Sequence, residues 1–307
     1  MEESLVEWLY TGDKTFTEPF FDDTILACRN LEENCKPYKV VSQLDMMNEW
    51  CGEINSLEPC AIIFHVSRCG STLLSQLLSL DEKHIVLSEV PFFDELLRLH
   101  YKKDAIDIKI GDNYLRAAIK FYAQKRSENE THLFIKTDSW HLHFYKRLRN
   151  LFPSIPFILL YRNPTEVILS HQKQRGMQSV PGLIEPAIFG FSKRCLEEAN
   201  LDLYIANVLE TYFEKMVEIS ILDPLTLLIN YEEGINSMMK KICHCTGIDL
   251  TAKTRKQFEE RIRFDAKHPQ QLFTKDHRNH NLPDFLLPVI ELYKNLDEMS
   301  SNKHSIA

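Results

Sequence analysis

The chain has 307 residues, of which 44% are hydrophobic, and carries a formal net charge of −8 at pH 7. This length and apolar content suffice for one large α/β domain or two small ones, and 9 glycines exclude collagen-like or glycine-rich architectures. The acidic balance disfavours broad binding to nucleic acid or anionic membranes, while a local basic pocket remains compatible with it.

The sequence shows no pattern of a signal peptide, a membrane span or paired cysteines. The first residues contain no basic n-region or apolar core of a signal peptide, and no segment approaches the roughly 20 apolar residues that span a bilayer. The 8 cysteines are scattered without a CxxC pair, and CHC at 243–245 lies in an apolar helical pattern that favours ordinary thiols over a metal site. We therefore expect a cytoplasmic protein with reduced cysteines.

Residues 1–57 differ in pattern from the rest of the chain. The stretches LVEWLY, FTEPFFDDTILACRNL and VSQLDMMNEWCGEI predict helices separated by turns. Phe16, Phe20 and Phe21 suit a helix that packs on a core, and no chemical motif is present. We predict a helical extension laid on a main domain at 58–300.

From residue 58, short apolar strands alternate with helices. The predicted strands are 60–66, 84–89, 131–138, 156–162 and 224–233. The predicted helices are 71–80, 92–101, 112–126, 141–153, 164–174, 195–220 and 235–247. The alternation indicates an α/β three-layer sandwich with a central parallel sheet. Ligands of such sheets bind outside the carboxyl ends of the strands, so the residues that follow each strand should converge: 67–72, 88–89, 136–138, 162–163 and 231–232.

The first strand leads into the segment SRCGST. Backbone N–H groups of Cys69, Gly70, Ser71 and Thr72 would open a helix and could hold an anion, to which Arg68 adds a planar fork. The segment has one glycine and lacks the lysine of a Walker A loop. Taken alone, it fits an ordinary strand-to-helix turn equally well.

A second motif, LLYRNPTEVILSHQ, ends a strand in Arg162 and places Ser170 eight residues later. One loop and a short stretch of helix could aim both side chains at one anion. The alternative is a salt bridge for Arg162 and a helix-face hydroxyl for Ser170. A strand that ends in arginine also argues against a Walker B site, which ends in aspartate and helps to hold Mg²⁺.

With both motifs, the chain resembles the sulfotransferases that use 3′-phosphoadenosine-5′-phosphosulfate (PAPS). Their 5′-phosphosulfate loop reads PRSGTT or SRSGST, similar to SRCGST. Their 3′-phosphate motif is Arg-Asp-Pro with a serine eight residues after the arginine, similar to Arg162, Asn163, Pro164 and Ser170. The resemblance covers residues 60–250 and is greatest to bacterial and tyrosylprotein members. It implies a P-loop NTPase-like fold, PAPS as co-substrate, no metal, and an acceptor that carries a hydroxyl group.

The resemblance also implies roles for single residues. Those that would bind PAPS are Arg68, Cys69 (through its backbone), Gly70, Ser71, Thr72, Arg162, Ser170 and Tyr231. Those that would act in catalysis are Glu89, as general base, with Lys136 and Arg68, which stabilise the transferred group. Glu89 lies 21 residues after Arg68, as in the family.

Each catalytic assignment has an alternative. Glu89 could face a helix dipole, and Lys136 could form a structural ion pair with Asp138. His65 and His171 are rival bases, although a histidine in the middle of a strand is more often a buried structural residue. A metal site built on Asp138, His141 and His143 is disfavoured, because the two histidines would point apart.

The chain departs from the family at three loop positions, with Ser67 for proline, Cys69 for serine and Asn163 for aspartate. The segment QRGMQSVPGLIEPAIFGF has no tyrosylprotein counterpart and is predicted to shape the acceptor pocket. Lys275 or Arg278 could close over the nucleotide, although a solvated charged run is the simpler interpretation.

Two other functions stay open: an atypical P-loop kinase, and a non-catalytic nucleotide-binding interaction protein. The kinase would need Mg²⁺ and would prefer ATP. The interaction protein would show nucleotide binding without transfer. The sequence does not specify the acceptor or the oligomeric state.

Overall fold

A computed structural model describes residues 5–102, 107–192, 198–264, 266, 271 and 283–304. Its strands are β1 (Leu5–Trp8), β2 (Val40–Gln43), β3 (Pro59–His65), β4 (His84–Ser88), β5 (His132–Lys136), β6 (Phe157–Tyr161) and β7 (Thr226–Asn230). Its helices are α1 (Phe21–Arg29), α2 (Met46–Trp50), α3 (Ser71–Leu78), α4 (Pro91–Lys102), α5 (Ile108–Tyr122), α6 (Tyr145–Leu151), α7 (Pro164–Lys173), α8 (Leu201–Leu222), α9 (Ile235–Thr246), α10 (Ala252–Arg261) and α11 (Leu287–His304).

The main sheet has the strand order β4-β5-β3-β6-β7, and every neighbouring pair is parallel. Helices flank it, and nearly all strand residues are buried, which explains the continuous apolar runs in the sequence. The predicted α/β class with a central parallel sheet is confirmed. Strand β3 lies in the centre, with the chain continuing first to one side and then to the other. The carboxyl end of β3 is therefore the topological switch point, where such sheets bind ligands.

The predicted all-helical character of residues 1–57 is wrong at its two ends. Strands β1 and β2 form an antiparallel pair, with Leu5 opposite Gln43 and Trp8 opposite Val40. In β1, side chains alternate between exposed and half-buried, which is the period of a strand rather than of a helix. The Trp8 ring packs edge-on against Phe121 of α5, with 4.7 Å between centroids. Tertiary packing thus decides the conformation of a stretch too short to specify it.

Helix α1 attaches this N-terminal segment to the main core. Phe16 and Phe21 are buried, with 5.0 Å between ring centroids, and Phe21 also contacts Tyr122 of α5. The segment therefore shares the hydrophobic core of the sheet.

Other elements follow the predictions with shifted bounds. The helix predicted at 141–153 begins as a 3-10 helix at Ser139–Phe144 and continues as α6. Gly247 caps the end of helix α9 with a φ of 70°, the left-handed conformation that glycine commonly adopts at this position. Within the described ranges, no helix combines the length and apolar character needed to cross a membrane. The seven cysteines in these ranges are free thiols.

Candidate active site

The carboxyl ends of the parallel strands open onto a cavity of about 550 Å³. Seven predicted site residues line it: Arg68, Gly70, Ser71, Thr72, Glu89, Ser170 and Tyr231. Lys136 and Arg162 do not line the cavity but contact residues that do. The buried Cys69 side chain belongs to the core, and burial raises the pKa of its thiol to about 11. The strand-end positions chosen from the sequence therefore surround one space.

Loop 67–72 has an unusual backbone. Ser67 and Arg68 have φ values of 69° and 53°, and Gly70 has a φ of 77°. Left-handed conformations in two non-glycine residues are uncommon and cost energy, and they tend to occur at functional sites. The loop leads directly into α3, which begins at Ser71. The first N–H groups of an α-helix have no hydrogen-bond partners within the helix. The loop therefore has the construction of an anion-binding turn.

Gly70 is required by a close neighbour as well as by its backbone. A Cβ atom at this position would lie 2.7 Å from Cε2 and 2.9 Å from Cδ2 of Tyr231. The Tyr231 ring in turn lies 4.4 Å below the Arg162 guanidinium. The two sequence motifs and the end of β7 therefore form one packed unit.

Arg162 joins the two motifs directly. Its Nη1 donates to the carbonyl of Arg68 at 3.0 Å, and its Nη2 donates to Glu166 Oε2 at 3.0 Å. The salt bridge considered for Arg162 from the sequence is therefore present, but only Nη2 of the guanidinium forms it. Nε is buried and has no hydrogen-bond partner within the described part of the chain. The Arg68 guanidinium donates to the carbonyl of Gln174, just after α7, so the motifs are tied in both directions.

Asn163 fulfils the role of a helix cap. Its side chain accepts a hydrogen bond from the Thr165 N–H at 3.0 Å, and Pro164 occupies the first turn of α7. Asparagine and aspartate are equally good at this position. This departure from the family pattern therefore preserves the start of α7.

Glu89 is the central carboxylate of the cavity. It follows β4 with a φ of 53°, and its N–H donates to the Lys136 carbonyl at 2.8 Å. Its Oε1 forms an ion pair with Nζ of Lys136, whose side chain is completely buried. Lys136 thus pairs with Glu89, across strands β4 and β5, and the ion pair with Asp138 considered from the sequence is replaced by this one.

Electrostatics keep Glu89 ionised. Burial alone would raise the pKa of this carboxyl, but the charge of Lys136 and a hydrogen bond from His65 outweigh burial and lower it well below its ordinary value. The site therefore holds a carboxylate at neutral pH.

Both ring nitrogens of each histidine considered as a base contact other protein groups. His65 is buried and accepts from the Ser67 N–H, and its other ring nitrogen contacts Thr137 and Glu89. His171 is completely buried, accepts from the Gly176 N–H at 3.2 Å, and lies 3.3 Å from Ser67 Oγ. Neither ring has a free nitrogen that faces the cavity.

In the described ranges, one group of potential metal ligands is present: Asp94, Asp138 and His141. Asp94 accepts from Trp140 and His141 at 2.6 and 2.9 Å, and from Arg98 at 2.7 Å. The His141 Nδ1 accepts from the Asp138 N–H. Since these ligand atoms already have partners, the group fits a buried polar network better than a metal site. His143 is not part of this group, and its Nε2 lies 3.2 Å from Thr211 Oγ1.

No protein-family model and no curated protein sequence matches the chain. Solved structures do match. Sulfotransferase STF9 from Mycobacterium avium superposes with a TM-score of 0.50 and 14% identity, over 86% of this chain and 80% of that chain. The chain has the fold of a sulfotransferase. The resemblance found in the sequence is thereby confirmed at the level of the fold.

Two further sulfotransferases are similar at lower scores. The sulfotransferase domain from the curacin biosynthetic pathway has 18% identity and a TM-score of 0.43, covering 65% of this chain and 77% of that chain. The sulfotransferase from Alicyclobacillus acidocaldarius has 14% identity and a TM-score of 0.41, covering 78% of this chain and 96% of that chain.

On this sulfotransferase fold, the N-terminal segment supplies cavity residues that the sequence did not predict. Phe20 and Asp22 line the cavity at the start of α1. The Phe20 ring lies 5.8 Å from Lys136 Nζ, and burial together with the charges of Asp23 and Glu89 raises the pKa of Asp22. Neither residue belongs to a motif, so only the tertiary position of α1 reveals them.

Residues that follow β5 also line the cavity. Asp138, which was predicted among the strand-end residues, reaches it from the strand end, and Ser139 and Trp140, which were not predicted, reach it from the 3-10 helix. Asp94, which was not predicted either, reaches it from α4. Met177 and Gln178 also line it and belong to the segment predicted to shape an acceptor pocket. Lys275 and Arg278 lie outside the described residues.

Proposed function

We propose that the protein transfers a sulfuryl group from PAPS to a hydroxyl group of an acceptor. The proposal is supported by the direct contact between Arg162 and loop 67–72, which lines the cavity, since this contact would bring two anion-binding features together. A nucleotide with phosphate groups at both the 5′ and the 3′ position would fill both features. ATP would leave the second one empty.

The donor would bind across loop 67–72 and the start of α7. Ser71, Thr72 and the N–H groups at the start of α3 would hold the 5′-phosphosulfate, together with Arg68. Arg162, whose Nε has no hydrogen-bond partner among the described residues, and Ser170 would hold the 3′-phosphate. The Tyr231 ring would support the nucleotide beside Gly70.

The reaction would proceed in line. The acceptor hydroxyl gives its proton to Glu89 as its oxygen forms a bond to sulfur. The bond from sulfur to the 5′-phosphate oxygen breaks, and that oxygen keeps the electron pair and leaves on 3′,5′-bisphosphoadenosine. Lys136 and Arg68 would stabilise the charge that develops on the bridging and sulfuryl oxygens.

The ion pair of Glu89 and Lys136 would determine the order of events, with donor binding before proton transfer. Without donor, Lys136 holds Glu89 as a carboxylate with a lowered pKa, which makes it a weak base. A bound phosphosulfate would attract Lys136, and burial would then raise the Glu89 pKa toward that of a useful base. Donor binding would thus activate the base.

The acceptor would bind in the part of the cavity next to Glu89 that the donor leaves free. Phe20, Trp140 and Met177 contribute apolar surface to the cavity, and Asp22 and Gln178 contribute polar atoms. The N-terminal segment and the loop after α7 would therefore select the acceptor together. The non-catalytic alternative would not require an acceptor site beside a base, and the kinase alternative would in addition require a site for Mg²⁺.

The decisive experiment compares nucleotides. Calorimetry with 3′,5′-bisphosphoadenosine, 5′-AMP and ATP should give the highest affinity for the bisphosphate. A protein that binds ATP as tightly as the bisphosphate would contradict the proposed donor. Radiolabelled PAPS incubated with phenols, alcohols, sugars and peptides would then identify the acceptor, and nucleotide binding without any transfer would favour the interaction protein.

Replacement of Arg162 with alanine should remove the preference for the 3′-phosphate. A charge-assisted hydrogen bond contributes about 1.5–3 kcal/mol, so the affinity for the bisphosphate should fall roughly 10- to 100-fold. Ser170→Ala should act in the same direction more weakly. Affinity for 5′-AMP, which lacks the 3′-phosphate, should stay unchanged in Ser170→Ala. Equal losses for both nucleotides in that variant would place the 3′-phosphate elsewhere.

Phe20→Ala should affect the acceptor and spare the donor. Removing this ring takes apolar surface from the proposed acceptor wall, so KM for the acceptor should rise by about 5- to 10-fold, with the bisphosphate affinity retained. Tyr38→Ala is a suitable control, since Tyr38 belongs to the same segment and is 86% exposed. Equal effects of the two variants would indicate that the segment acts by general packing.

A further inference from the structure

His65 is the last residue of β3 and touches three functional elements at once. Its Nδ1 accepts from the Ser67 N–H at 3.0 Å. Its Nε2 lies 2.9 Å from the Thr137 carbonyl and 3.3 Å from Glu89 Oε1. The ring is 4% exposed, so water does not compete for these contacts. One buried side chain therefore bridges the anion loop, the end of β5 and the carboxylate after β4.

The hydrogen bonds define the protonation of the ring. Because Nδ1 accepts a hydrogen bond from the Ser67 N–H, the neutral imidazole carries its own proton on Nε2. That Nε2–H donates to the Thr137 carbonyl and to Glu89. Burial lowers the pKa of His65, which favours this neutral form. An extra proton on Nδ1 would displace the Ser67 N–H, so the ring is suited to hold groups in place and not to accept protons.

The contact with Glu89 selects one of its oxygens. Both Lys136 and His65 bind Oε1. Within the described ranges, Oε2 has no hydrogen bond, although Glu89 lines the cavity. An acceptor hydroxyl would therefore meet a carboxylate whose orientation is fixed through one oxygen and whose other oxygen is available.

The contact with Ser67 supports the strained part of the loop. Ser67 has a φ of 69°, and its Oγ lies 3.3 Å from Nε2 of the buried His171. Two histidines thus hold this residue, one through its backbone and one through its hydroxyl. A proline at this position, as in the PRSGTT form of the loop, would have no N–H to offer His65.

On the basis of the proposed function, we propose that His65 is a positioning residue that orients the base Glu89 through Nε2 and the phosphosulfate loop through Nδ1. The contact with Ser67 and the contact with Glu89 can be removed separately. The side-chain oxygen of an asparagine can accept a hydrogen bond at the position of Nδ1, and the side-chain NH₂ group of a glutamine can donate one at the position of Nε2.

The test compares His65→Asn with His65→Gln. His65→Asn should keep the bisphosphate affinity within about threefold and lower kcat for PAPS consumption about 10- to 100-fold, because Glu89 loses its orientation. His65→Gln should keep kcat within about threefold and weaken bisphosphate binding about 10-fold, because Ser67 loses its acceptor. Bisphosphate binding is measured by calorimetry. Turnover is measured with radiolabelled PAPS and 4-nitrophenol as the probe acceptor, and transfer of the sulfuryl group to the phenol and to water are both counted.

His84 provides a matched control. It is buried on β4 and its Nδ1 is 2.8 Å from the Leu78 carbonyl, but it does not line the cavity. His84→Asn and His84→Gln should leave kcat and bisphosphate affinity unchanged. If the two His65 variants change both quantities together, or change neither, while wild-type protein turns over PAPS, the positioning role is wrong. Absence of bisphosphate binding by the wild-type protein would instead overturn the proposed function on which it rests.

Discussion

Replacement of Glu89 with glutamine is expected to lower sulfuryl transfer about 10²- to 10⁴-fold, the usual contribution of a general base. Glutamine has nearly the same shape and can still accept from Lys136 and His65, but it cannot take a proton from an acceptor hydroxyl. The proposed donor site is formed by loop 67–72 and α7, so the affinity for 3′,5′-bisphosphoadenosine should change little. Calorimetry and transfer from radiolabelled PAPS measure the two effects separately.

The substitution also leaves Lys136 without its counter-ion, and a buried unpaired charge destabilises a fold. Glu130→Gln controls for this effect, because Glu130 is a buried carboxylate paired with Arg126 outside the cavity. Both variants should lower the melting temperature, and only Glu89→Gln should lose transfer. Undiminished turnover in Glu89→Gln would assign proton removal to another group.

The same ion pair predicts a dependence of stability on pH. The pKa of Glu89 is lower in the folded than in the unfolded protein. The pair therefore stabilises the fold above the unfolded pKa, and this contribution is lost as the pH falls through the folded pKa. Glu89→Gln should remove this part of the acid sensitivity, which appears as a smaller difference in melting temperature between neutral and acidic buffer.

The sheet was predictable because its strands are buried on both faces. Runs such as AIIF in β3 and FILLY in β6 have no polar alternation, and each is followed by a helix with an amphipathic pattern. Strand β1 was not predictable, since four residues carry too little pattern to outweigh their surroundings. Its conformation depends on β2, which lies more than thirty residues later, and on Phe121 of α5.

The candidate site was predictable to the extent that parallel strands place their carboxyl ends together. That rule predicts that Arg68, Glu89 and Arg162 lie at one edge of the sheet. The rule could not predict the pairing of Glu89 with Lys136, which depends on the register that sets Ser88 opposite Lys136. It also could not predict Phe20, because α1 reaches the cavity from outside the sheet.

Replacement of Gly70 with alanine is expected to weaken both parts of the proposed donor site. The new methyl group would meet the Tyr231 ring at 2.7 Å, and the φ of 77° is unfavourable for alanine. Either the loop or the ring must move. Since the ring also stacks on Arg162, a shift of the ring would disturb the proposed 3′-phosphate site as well as the proposed 5′-phosphosulfate site. Affinity for both 5′-AMP and 3′,5′-bisphosphoadenosine should fall about 10-fold or more, given roughly 1–2 kcal/mol for the left-handed alanine alone.

Gly247→Ala is a control that introduces the backbone strain of a left-handed alanine without a collision like that between Gly70→Ala and the Tyr231 ring. Gly247 has a φ of 70° at the end of α9, and nothing lies within 4 Å of the position of its Cβ. This variant should lose stability by a similar left-handed penalty and retain full nucleotide affinity. If Gly70→Ala binds both nucleotides as the wild-type protein does, the backbone of loop 67–72 does not form the donor site. A loss confined to the bisphosphate would instead indicate that the Tyr231 ring, with Arg162, yields to the new methyl group while the loop keeps its shape.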